Sequence, residues 1–246
     1  MIIGIDISQI VYGTGVSRYT KELVKNLLLI DWDNQYKLFA GVFRQKKAVE
    51  EFLQELPTKH TNYKPYIKLF PPRLADIIWN HWHSYPIENF LGRIDLFHSS
   101  NWALPPTRAK VVTTIHDLTP LLYPQYHTVE VKKNFMTFLG RAQNDCDALI
   151  AVSQATKNDL IKHAFIKPEK ISVVYEAGNP IALQSPSDEN SIKILIKYGI
   201  TKPYFLTVGT KEPRKNLKTI VQAHSTPGIV EKTQLVIVGK EGWGNV

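Results

Sequence analysis

The order of apolar runs along the chain constrains its fold more than any other feature. Short runs rich in β-branched residues alternate with longer stretches in which apolar residues recur at helical spacing. The predicted strands, each a run of mainly apolar residues, lie at 2–7, 36–43, 94–100, 111–117, 147–153 and 170–176. The predicted helices lie at 16–30, 129–145 and 154–163. This alternation predicts an α/β fold in which helices cover both faces of a parallel sheet.

A second strand–helix–strand pattern starts further along the chain. Gly, Pro, Ser and Asn are frequent at 177–190, which indicates a linker before a short helix at 191–198. A new strand, helix and strand are predicted at 204–208, 216–224 and 234–239. The predicted segments are an N-terminal domain, a linker with its short helix, and the beginning of a second α/β domain, at 1–176, 177–203 and 204–246. Because two strands are too few for a stable sheet domain, we expect the rest of it from a longer chain or a separate chain.

Composition and charge set broad limits on compartment and partners. One cysteine, Cys146, excludes an intrachain disulfide framework and indicates a reducing compartment. No apolar run approaches the roughly 20 residues of a membrane span, and the start "MIIGIDIS" lacks the features of a secretory signal. These observations predict a cytoplasmic protein. The net charge of +8 is compatible with phosphate-bearing partners or an anionic membrane surface, and equally with simple solubility.

A glycine-containing loop joins the first strand to the first helix in "GIDISQIVYGTGVSRY". Gly13 and Gly15 let the backbone approach a ligand, and the helix N-terminus beyond them offers free N–H groups to an anion. A dinucleotide fingerprint would need a glycine in place of Arg18 and an acidic residue in place of Arg44. A nicotinamide-dependent oxidoreductase is therefore disfavoured. A phosphate or sugar site and a plain turn that requires glycine both remain open.

His116 and Asp117 follow a predicted buried strand, at the sheet edge where α/β proteins bind ligands. A histidine there can hydrogen-bond a sugar hydroxyl or a carbonyl oxygen. The alternative is a structural histidine, with Asp117 capping the turn before Pro120. No metal site is predicted, because the histidines form no H-E-x-x-H motif and "HWH" at 81–83 has no obvious further ligands.

Aromatic and basic residues are interleaved in the stretch 63–95, which includes Trp79 and Trp82. Such side chains suit stacking on sugar faces, or contact with a membrane interface whose anionic head groups meet the lysines and arginines. The alternative is that many of the aromatic residues belong to the core. No RNA-binding signature accompanies them, so no nucleic-acid partner is predicted.

Several motifs together resemble one enzyme family. They occur in the order "GTGVSRY", "HSSNWALPP", "TTIHDLTPLLYP", "DALIAVSQATKNDL" and "VGTKEPRKNL", starting at residues 13, 98, 113, 147 and 208. In this respect the chain is similar to the retaining GT-B glycosyltransferases of family 4, particularly bacterial mannosyltransferases of O-antigen and exopolysaccharide assembly. The resemblance implies two Rossmann-like domains, the first binding the acceptor and the second most of the sugar nucleotide. It covers nearly the whole chain.

The resemblance also implies roles for particular residues. It makes His116 the catalytic residue beside the transferred sugar. It places Gly15 near the donor phosphates and matches Arg214 and Lys215 to the basic pair that contacts the donor diphosphate. We assign Gly13 and Gly209 to donor binding with them, and Asp117, Trp79 and Trp82 to the acceptor side. No cofactor or metal is implied, since cations and helix N–H groups can stabilise the diphosphate that leaves a GDP- or UDP-linked donor. Some relatives carry arginine where this chain has Thr210, a small departure.

The implied activity is retaining transfer of a hexose, mannose being the expected one, to a lipid-linked or saccharide acceptor in cell-surface polysaccharide synthesis. We expect peripheral contact with the inner membrane face where the acceptor is lipid-linked. The family's acidic E-x7-E segment, which binds the donor sugar and ribose, is expected beyond the printed sequence. The alternative is therefore a non-catalytic binding or regulatory remnant of a glycosyltransferase.

Overall fold

Seven parallel strands form one sheet in the first part of the chain. The computed structural model describes residues 1–57, 62–100, 102–178 and 186–243, which fall into two units, Met1–Glu176 and Ala177–Val246. The strands of the first unit are β1 (Ile2–Asp6), β2 (Gln35–Val42), β3 (Tyr63–Leu69), β4 (Leu96–Ser99), β5 (Lys110–Ile115), β6 (Ala148–Ala151) and β7 (Ile171–Val173). Their order is β3-β2-β1-β4-β5-β6-β7, with every neighbouring pair parallel. The predicted parallel α/β sheet is confirmed.

Helices connect these strands. They are α1 (Gly15–Ile30), α2 (Lys46–Gln54), α3 (Pro72–Ala75), α4 (Glu88–Leu91), α5 (Thr119–Leu122), α6 (Val129–Asp145) and α7 (Gln154–Ala164), with a π-helix at Asp76–His81. The first begins with a capping box, in which the Thr14 hydroxyl accepts from the Ser17 amide and the Ser17 hydroxyl accepts from the Thr14 amide. Ser153 caps α7 through the Thr156 amide. No helix in the described ranges is both long and apolar enough to cross a bilayer.

Two elements of the first unit had no clear signal in the apolar pattern, β3 and α2. Strand β3 carries Lys64, Pro65 and Lys68, a composition that a central strand does not tolerate. It lies at the edge of the sheet and pairs only with β2, so its polar residues can face solvent. The aromatic and basic stretch therefore begins with an edge strand, which short helices follow.

Buried side chains of the first unit form three apolar clusters. One contains Phe39, Phe70, Trp79 and Phe97, all of them almost fully buried. Cys146 belongs to another cluster, where burial raises the pKa of its thiol to about 12. This cysteine is therefore a packed thiol and not a nucleophile.

The second unit contains α8 (Asp188–Lys197), β8 (Tyr204–Val208), α9 (Leu217–His224) and β9 (Gln234–Val238). Strands β8 and β9 are parallel. Helix α8 begins three residues before the predicted short helix, because the Ser187 hydroxyl caps it by accepting from the Asn190 amide. Part of the predicted linker lies outside the described residues.

Candidate functional site

The candidate site of the first unit lies at the carboxyl edge of its sheet. The strand order changes direction between β1 and β4, and in parallel α/β sheets a crevice opens beyond the strand ends at such a point. The chain leaves β1 through a short 3₁₀ turn, Ser8–Tyr12, and enters α1 through Gly13 and Thr14. His116 follows directly after β5. The fold therefore brings the glycine loop and His116 to the same edge.

The two glycines of this loop differ in what they contribute. Gly13 has a φ of 63°, in the left-handed region that glycine adopts without strain. Gly15 is the first residue of α1, and an added Cβ there would meet no atom within 4 Å. The backbone conformation thus requires Gly13, while Gly15 leaves the helix N-terminus open to an approaching group.

A buried carboxylate that the motif analysis missed anchors the loop to the sheet. Asp6, the last residue of β1, accepts through Oδ1 from the Ser8 amide at 2.9 Å and from the Ser8 hydroxyl. The Ser8 hydroxyl oxygen in turn accepts from the Gly41 amide of β2 at 2.8 Å. Burial raises the pKa of Asp6. The sequence feature that could have indicated this role is an acidic residue at the end of an otherwise apolar strand.

His116 is held on several sides. Its Nδ1 lies 3.0 Å from Oε1 of Glu176, and the Tyr19 ring packs edge-on against the imidazole at a centroid distance of 4.9 Å. The Thr156 hydroxyl donates to the His116 carbonyl at 3.2 Å. Burial lowers the pKa of His116, with Glu176 and Asp117 opposing the shift. The imidazole is therefore neutral at pH 7.

A second histidine lies behind the first. His98 Nε2 and the Tyr19 hydroxyl each lie 3.0 Å from the Thr114 hydroxyl oxygen, which links β4, β5 and α1. Burial lowers the pKa of His98 to about 4, and the neighbouring His116 adds to the effect. Both imidazoles are consequently neutral polar groups near pH 7.

A cleft of about 330 Å³ opens beside His116. Its lining residues are mainly apolar, with a few polar groups, and comprise Val16, Trp102, Ile115, His116, Asp117, Pro120, Val131, Asn134, Phe135 and Phe138. A concave, mostly apolar surface with a few polar groups is typical of small-molecule sites. Trp102 was present in the motif "HSSNWALPP" but not selected, and Asn134 on α6 carried no sequence signal.

Asp117 lines this cleft and also stabilises the turn that follows it. Its Oδ1 accepts from the Thr119 amide at 2.9 Å and from the Thr119 hydroxyl at 2.7 Å. One carboxylate oxygen of Asp117 therefore accepts hydrogen bonds from Thr119, the first residue of α5. This agrees with the structural alternative, in which Asp117 caps the turn before Pro120.

The two tryptophans assigned to the acceptor side lie in different environments. Trp79 is 1% exposed and packs against Phe39 and Phe70, with ring centroids 5.7 and 5.1 Å away. Its indole N–H donates to the Tyr85 carbonyl at 3.1 Å. Because both faces of the indole are covered, Trp79 cannot stack on a sugar, and its assignment to the acceptor side is corrected to the core. Trp82 is 72% exposed and is not among the residues that line the cleft.

The two imidazoles of the HWH stretch, His81 and His83, lie at the end of the π-helix and just beyond it. The π-helix Asp76–His81 carries the first, and each histidine faces a carboxylate: His81 lies 3.5 Å from Asp76 and His83 lies 3.6 Å from Asp145. In the part of the chain that the structure describes, no group of three or more His, Cys, Asp or Glu side chains is arranged to hold a metal ion.

The basic pair of the second unit lies in a 3₁₀ turn, Pro213–Lys215, between β8 and α9. The Arg214 guanidinium pairs with the carboxylate of Glu212, which is buried. The Lys215 chain passes over Gly209, where an added Cβ would lie 3.5 Å from the lysine Cε. Lys215 forms no ion pair with any residue in the described ranges. The two cations are thus unequal, since Arg214 has an ion-pair partner and Lys215 has none among the described residues.

A glycine that sequence reasoning missed allows this turn to form. The ends of β8 and β9 come so close that an added Cβ on Gly239 would lie 1.7 Å from the Gly209 carbonyl oxygen. Gly209 also donates its amide to the Val238 carbonyl at 2.9 Å. Only a residue without a side chain fits at position 239.

Comparison with known sequences identifies the family. The sequence model described as Glycosyltransferase Family 4 matches residues 13–177, more than half of the chain. The chain belongs to glycosyltransferase family 4. The matched range contains Gly13, Gly15, His116 and Asp117, whereas the basic pair at 214–215 lies beyond it. Family membership supersedes the nicotinamide oxidoreductase alternative.

Individual relatives of this family 4 glycosyltransferase are distant. It is 24% identical over 238 residues to O-antigen chain mannosyltransferase B of Escherichia coli, covering 94% of this chain and 61% of that protein. It is 26% identical over 154 residues to O-antigen chain mannosyltransferase RfbU of Salmonella typhimurium, covering 61% of this chain and 39% of that one. The chain therefore spans about three fifths of the first relative and less of the second.

Solved structures show the same fold. Anabaena Alr3699/HepE in complex with UDP and glucose superposes with a TM-score of 0.59 at 19% identity, covering 98% of this chain and 62% of that one. The N-terminal domain of Candida albicans trehalose-6-phosphate phosphatase gives 0.54 at 12% identity, covering 98% and 64%. The seven-stranded sheet of the family 4 chain matches the Rossmann-like N-terminal domain of the GT-B fold.

Proposed function

We propose that this family 4 member is a retaining hexosyltransferase that moves mannose from a nucleotide sugar to a lipid-linked or saccharide acceptor, in cell-surface polysaccharide synthesis at the cytoplasmic face of the membrane. The observation that carries the proposal is the cleft at the sheet edge, where neutral His116 lies beside the start of α1. Two relatives named as O-antigen mannosyltransferases support mannose as the sugar.

The proposed reaction exchanges one bond at the anomeric carbon of the sugar. Its bond to the diphosphate oxygen breaks, an acceptor hydroxyl oxygen bonds to the same carbon from the same face, and the hydroxyl proton passes to the departing diphosphate oxygen. Negative charge develops on the departing nucleoside diphosphate, and Lys215 and Arg214 of the second unit are suited to stabilise it. In the second unit, Gly209 is proposed to allow the donor to approach the backbone. For the first unit, anion binding at the N-terminus of α1 beside Gly13 and Gly15 is a separate proposal.

The acceptor is proposed to occupy the cleft of the first unit. Its apolar walls suit the hydrocarbon face of a pyranose, while Asp117 and Asn134 can bond its hydroxyl groups. Trp82 stays a proposal for the outer part of an extended acceptor, because its indole is exposed.

A donor screen tests the function. The whole protein is incubated with GDP-mannose, UDP-glucose or UDP-N-acetylglucosamine and with lipid-linked and free saccharide acceptors, and nucleoside diphosphate release and the product are measured. We expect GDP-mannose to give a retained mannosyl linkage. Transfer from a UDP-sugar alone would replace mannose in the proposal. Nucleotide binding without transfer from any donor would instead support the binding or regulatory alternative.

Replacing Lys215 by alanine should weaken GDP binding at least tenfold, or about 1.4 kcal/mol, because a charge-assisted contact to the diphosphate is lost. Isothermal titration of GDP and UDP into the whole protein measures the change. Lys232→Ala is the matched control, since Lys232 is an exposed lysine of the same unit outside the turn. Arg214→Ala is less informative, because it would leave the buried Glu212 carboxylate without its partner. Equal affinities for Lys215→Ala and Lys232→Ala would contradict the assignment of Lys215.

We propose that the surface at the carboxyl ends of β2 and β3 contacts the membrane that carries the acceptor. Phe43, Leu69 and Leu74 are 55%, 74% and 42% exposed there, and the cations Arg44, Lys68 and Arg73 accompany them. This surface lies on the same sheet edge as the cleft, because all the strands are parallel. Exposed apolar groups flanked by cations suit an anionic bilayer surface.

Leu69→Glu should lower binding to phosphatidylglycerol-containing vesicles about tenfold, since it removes apolar area that the bilayer would bury and adds a negative charge that the anionic lipids repel. Co-sedimentation with these vesicles, and with neutral phosphatidylcholine vesicles, measures the effect. Ile30→Glu is the control, because Ile30 is 77% exposed at the end of α1, on the opposite edge of the sheet. Equal losses in the two variants would argue against this surface.

A further inference from the structure

Glu176 reaches the candidate site from a distant part of the sequence. It follows β7, where the Val174 amide donates to the Ala151 carbonyl and holds the departing chain against β6. From there the Glu176 carboxylate passes the end of β6 to lie 3.0 Å from Nδ1 of His116, which follows β5. The contact joins residues that are 60 positions apart in the chain.

The rest of the His116 environment leaves the other ring nitrogen available. Tyr19 contacts the ring by its edge, and Thr156 bonds the backbone carbonyl and not the ring. No group in the described ranges forms a hydrogen bond with Nε2. The imidazole also lines the cleft. Among the residues that the structure describes, Glu176 is therefore the only one that hydrogen-bonds a ring nitrogen of His116.

We infer that Glu176 is a positioning residue that holds His116 as the Nδ1–H tautomer, so that Nε2 accepts a hydrogen bond from a sugar hydroxyl in the cleft. A carboxylate can only accept, and so the Nδ1 proton must be donated to it. The opposite nitrogen then carries a lone pair and no proton. The identity of the ligand rests on the proposed function, whereas the tautomer does not.

The charges around the ring agree with a neutral imidazole. Glu176 and Asp117 are the carboxylates that act on it, and burial outweighs their attraction for a proton. Tyr19 on α1 faces the ring with burial raising the pKa of its phenol, and His98 on β4 has a pKa lowered to about 4. Neither neighbour is charged near pH 7, so among the described residues named here the charges beside the ring are those of the two carboxylates.

This arrangement determines what the ligand must offer. A neutral Nδ1–H imidazole accepts at Nε2 and cannot donate there. A sugar whose contacting hydroxyl is replaced by hydrogen or by a methoxy group should therefore bind at least tenfold more weakly, because Nε2 would lose its hydrogen-bond donor inside the occupied cleft.

The decisive experiment is ¹⁵N NMR of His116 across a pH titration, without substrate. We expect a protonated Nδ1 and an unprotonated Nε2 in the wild-type protein. Glu176→Gln, whose amide oxygen still accepts, should keep this tautomer but lower the pKa of His116 by about one unit, because a nearby negative charge is removed. Glu176→Ala should shift the ring toward the Nε2–H tautomer.

Glu169→Gln is the matched control. Glu169 is exposed in the 3₁₀ turn before β7, so it loses the same charge at the opposite edge of the sheet, and it should change neither tautomer nor pKa. An Nε2–H tautomer in the wild-type protein, or an unchanged His116 pKa in Glu176→Gln, would overturn the inference. Unchanged melting temperatures identify variants that remain folded, which is expected because the Glu176 side chain is 47% exposed.

Turnover separates the inference from the proposed function. Protonation of His116 removes the lone pair with which Nε2 accepts the hydrogen bond, so kcat should fall as the pH falls through the pKa of His116. Because Glu176→Gln lowers this pKa, the acid limb of the kcat profile should move to lower pH by the shift that NMR measures. An absence of transfer from every donor, with the NMR result as expected, would remove the function and leave the positioning role. Transfer with an acid limb that does not follow the NMR pKa would contradict the role of Glu176.

Discussion

Replacing Trp79 by alanine should lower the unfolding free energy of the first unit by roughly 3–5 kcal/mol, the cost of truncating a buried aromatic residue. Trp79 is 1% exposed and contacts Phe39, Phe70 and Phe90 with ring centroids 5.1 to 6.3 Å away. Its removal leaves a cavity that these rigid rings cannot fill, and the Tyr85 carbonyl loses its donor. Urea unfolding followed by circular dichroism measures the loss without relying on tryptophan fluorescence.

Trp82→Ala is the natural control for this change. It removes the same side chain three positions away from an indole that is 72% exposed, and the stability should change by no more than about 0.5 kcal/mol. A similar loss in both variants would mean that Trp82 also packs. A small loss in Trp79→Ala would return Trp79 to consideration as a ligand-contacting residue.

The unfolding free energy should also fall by about 3 kcal/mol from His98 alone as the pH is lowered from about 6.5 to about 4. Burial lowers the pKa of His98 to about 4 in the folded protein, whereas the unfolded chain titrates near 6.5. Between these values the unfolded state binds the additional proton, so stability rises with pH. The contribution is fully present above pH 6.5 and is lost as the pH falls through the folded pKa.

Comparison with His98→Asn isolates this effect from other titrating groups. The contribution of His116, whose pKa is also lowered, is retained in both proteins. Urea unfolding at a series of pH values should give a shallower pH dependence for the variant, whatever its stability at pH 7. Parallel curves for the two proteins would show that His98 titrates normally and that water reaches it.

The parallel sheet could be predicted because buried strands and amphipathic helices leave periodic apolar patterns. Strand β3 could not, since its lysines and proline are those of an edge strand, whose position depends on its neighbour. The same limit applied to aromatic residues. The sequence places Trp79 and Trp82 three residues apart, but only packing around the π-helix decides that one is buried and the other exposed.

The candidate site shows the same division between local and distant information. His116, Gly13 and the basic pair could be selected because strand ends, glycines and adjacent cations are local signals. Glu176 could not, because its contact with His116 depends on how two strand ends lie across the sheet. The difference between Arg214, which is paired, and Lys215 could not be predicted from the sequence either, because it depends on the burial of Glu212.

The contact between Gly239 and the Gly209 carbonyl has a consequence for genetics. A methyl group at position 239 would displace the loop in which Lys215 lies over Gly209. A substitution at Gly239 should therefore mimic loss of the basic pair, although residue 239 itself has no group that could bind a diphosphate. Selection that preserves Lys215 would therefore also preserve Gly239. Among descendants of the gene, positions 215 and 239 should vary together.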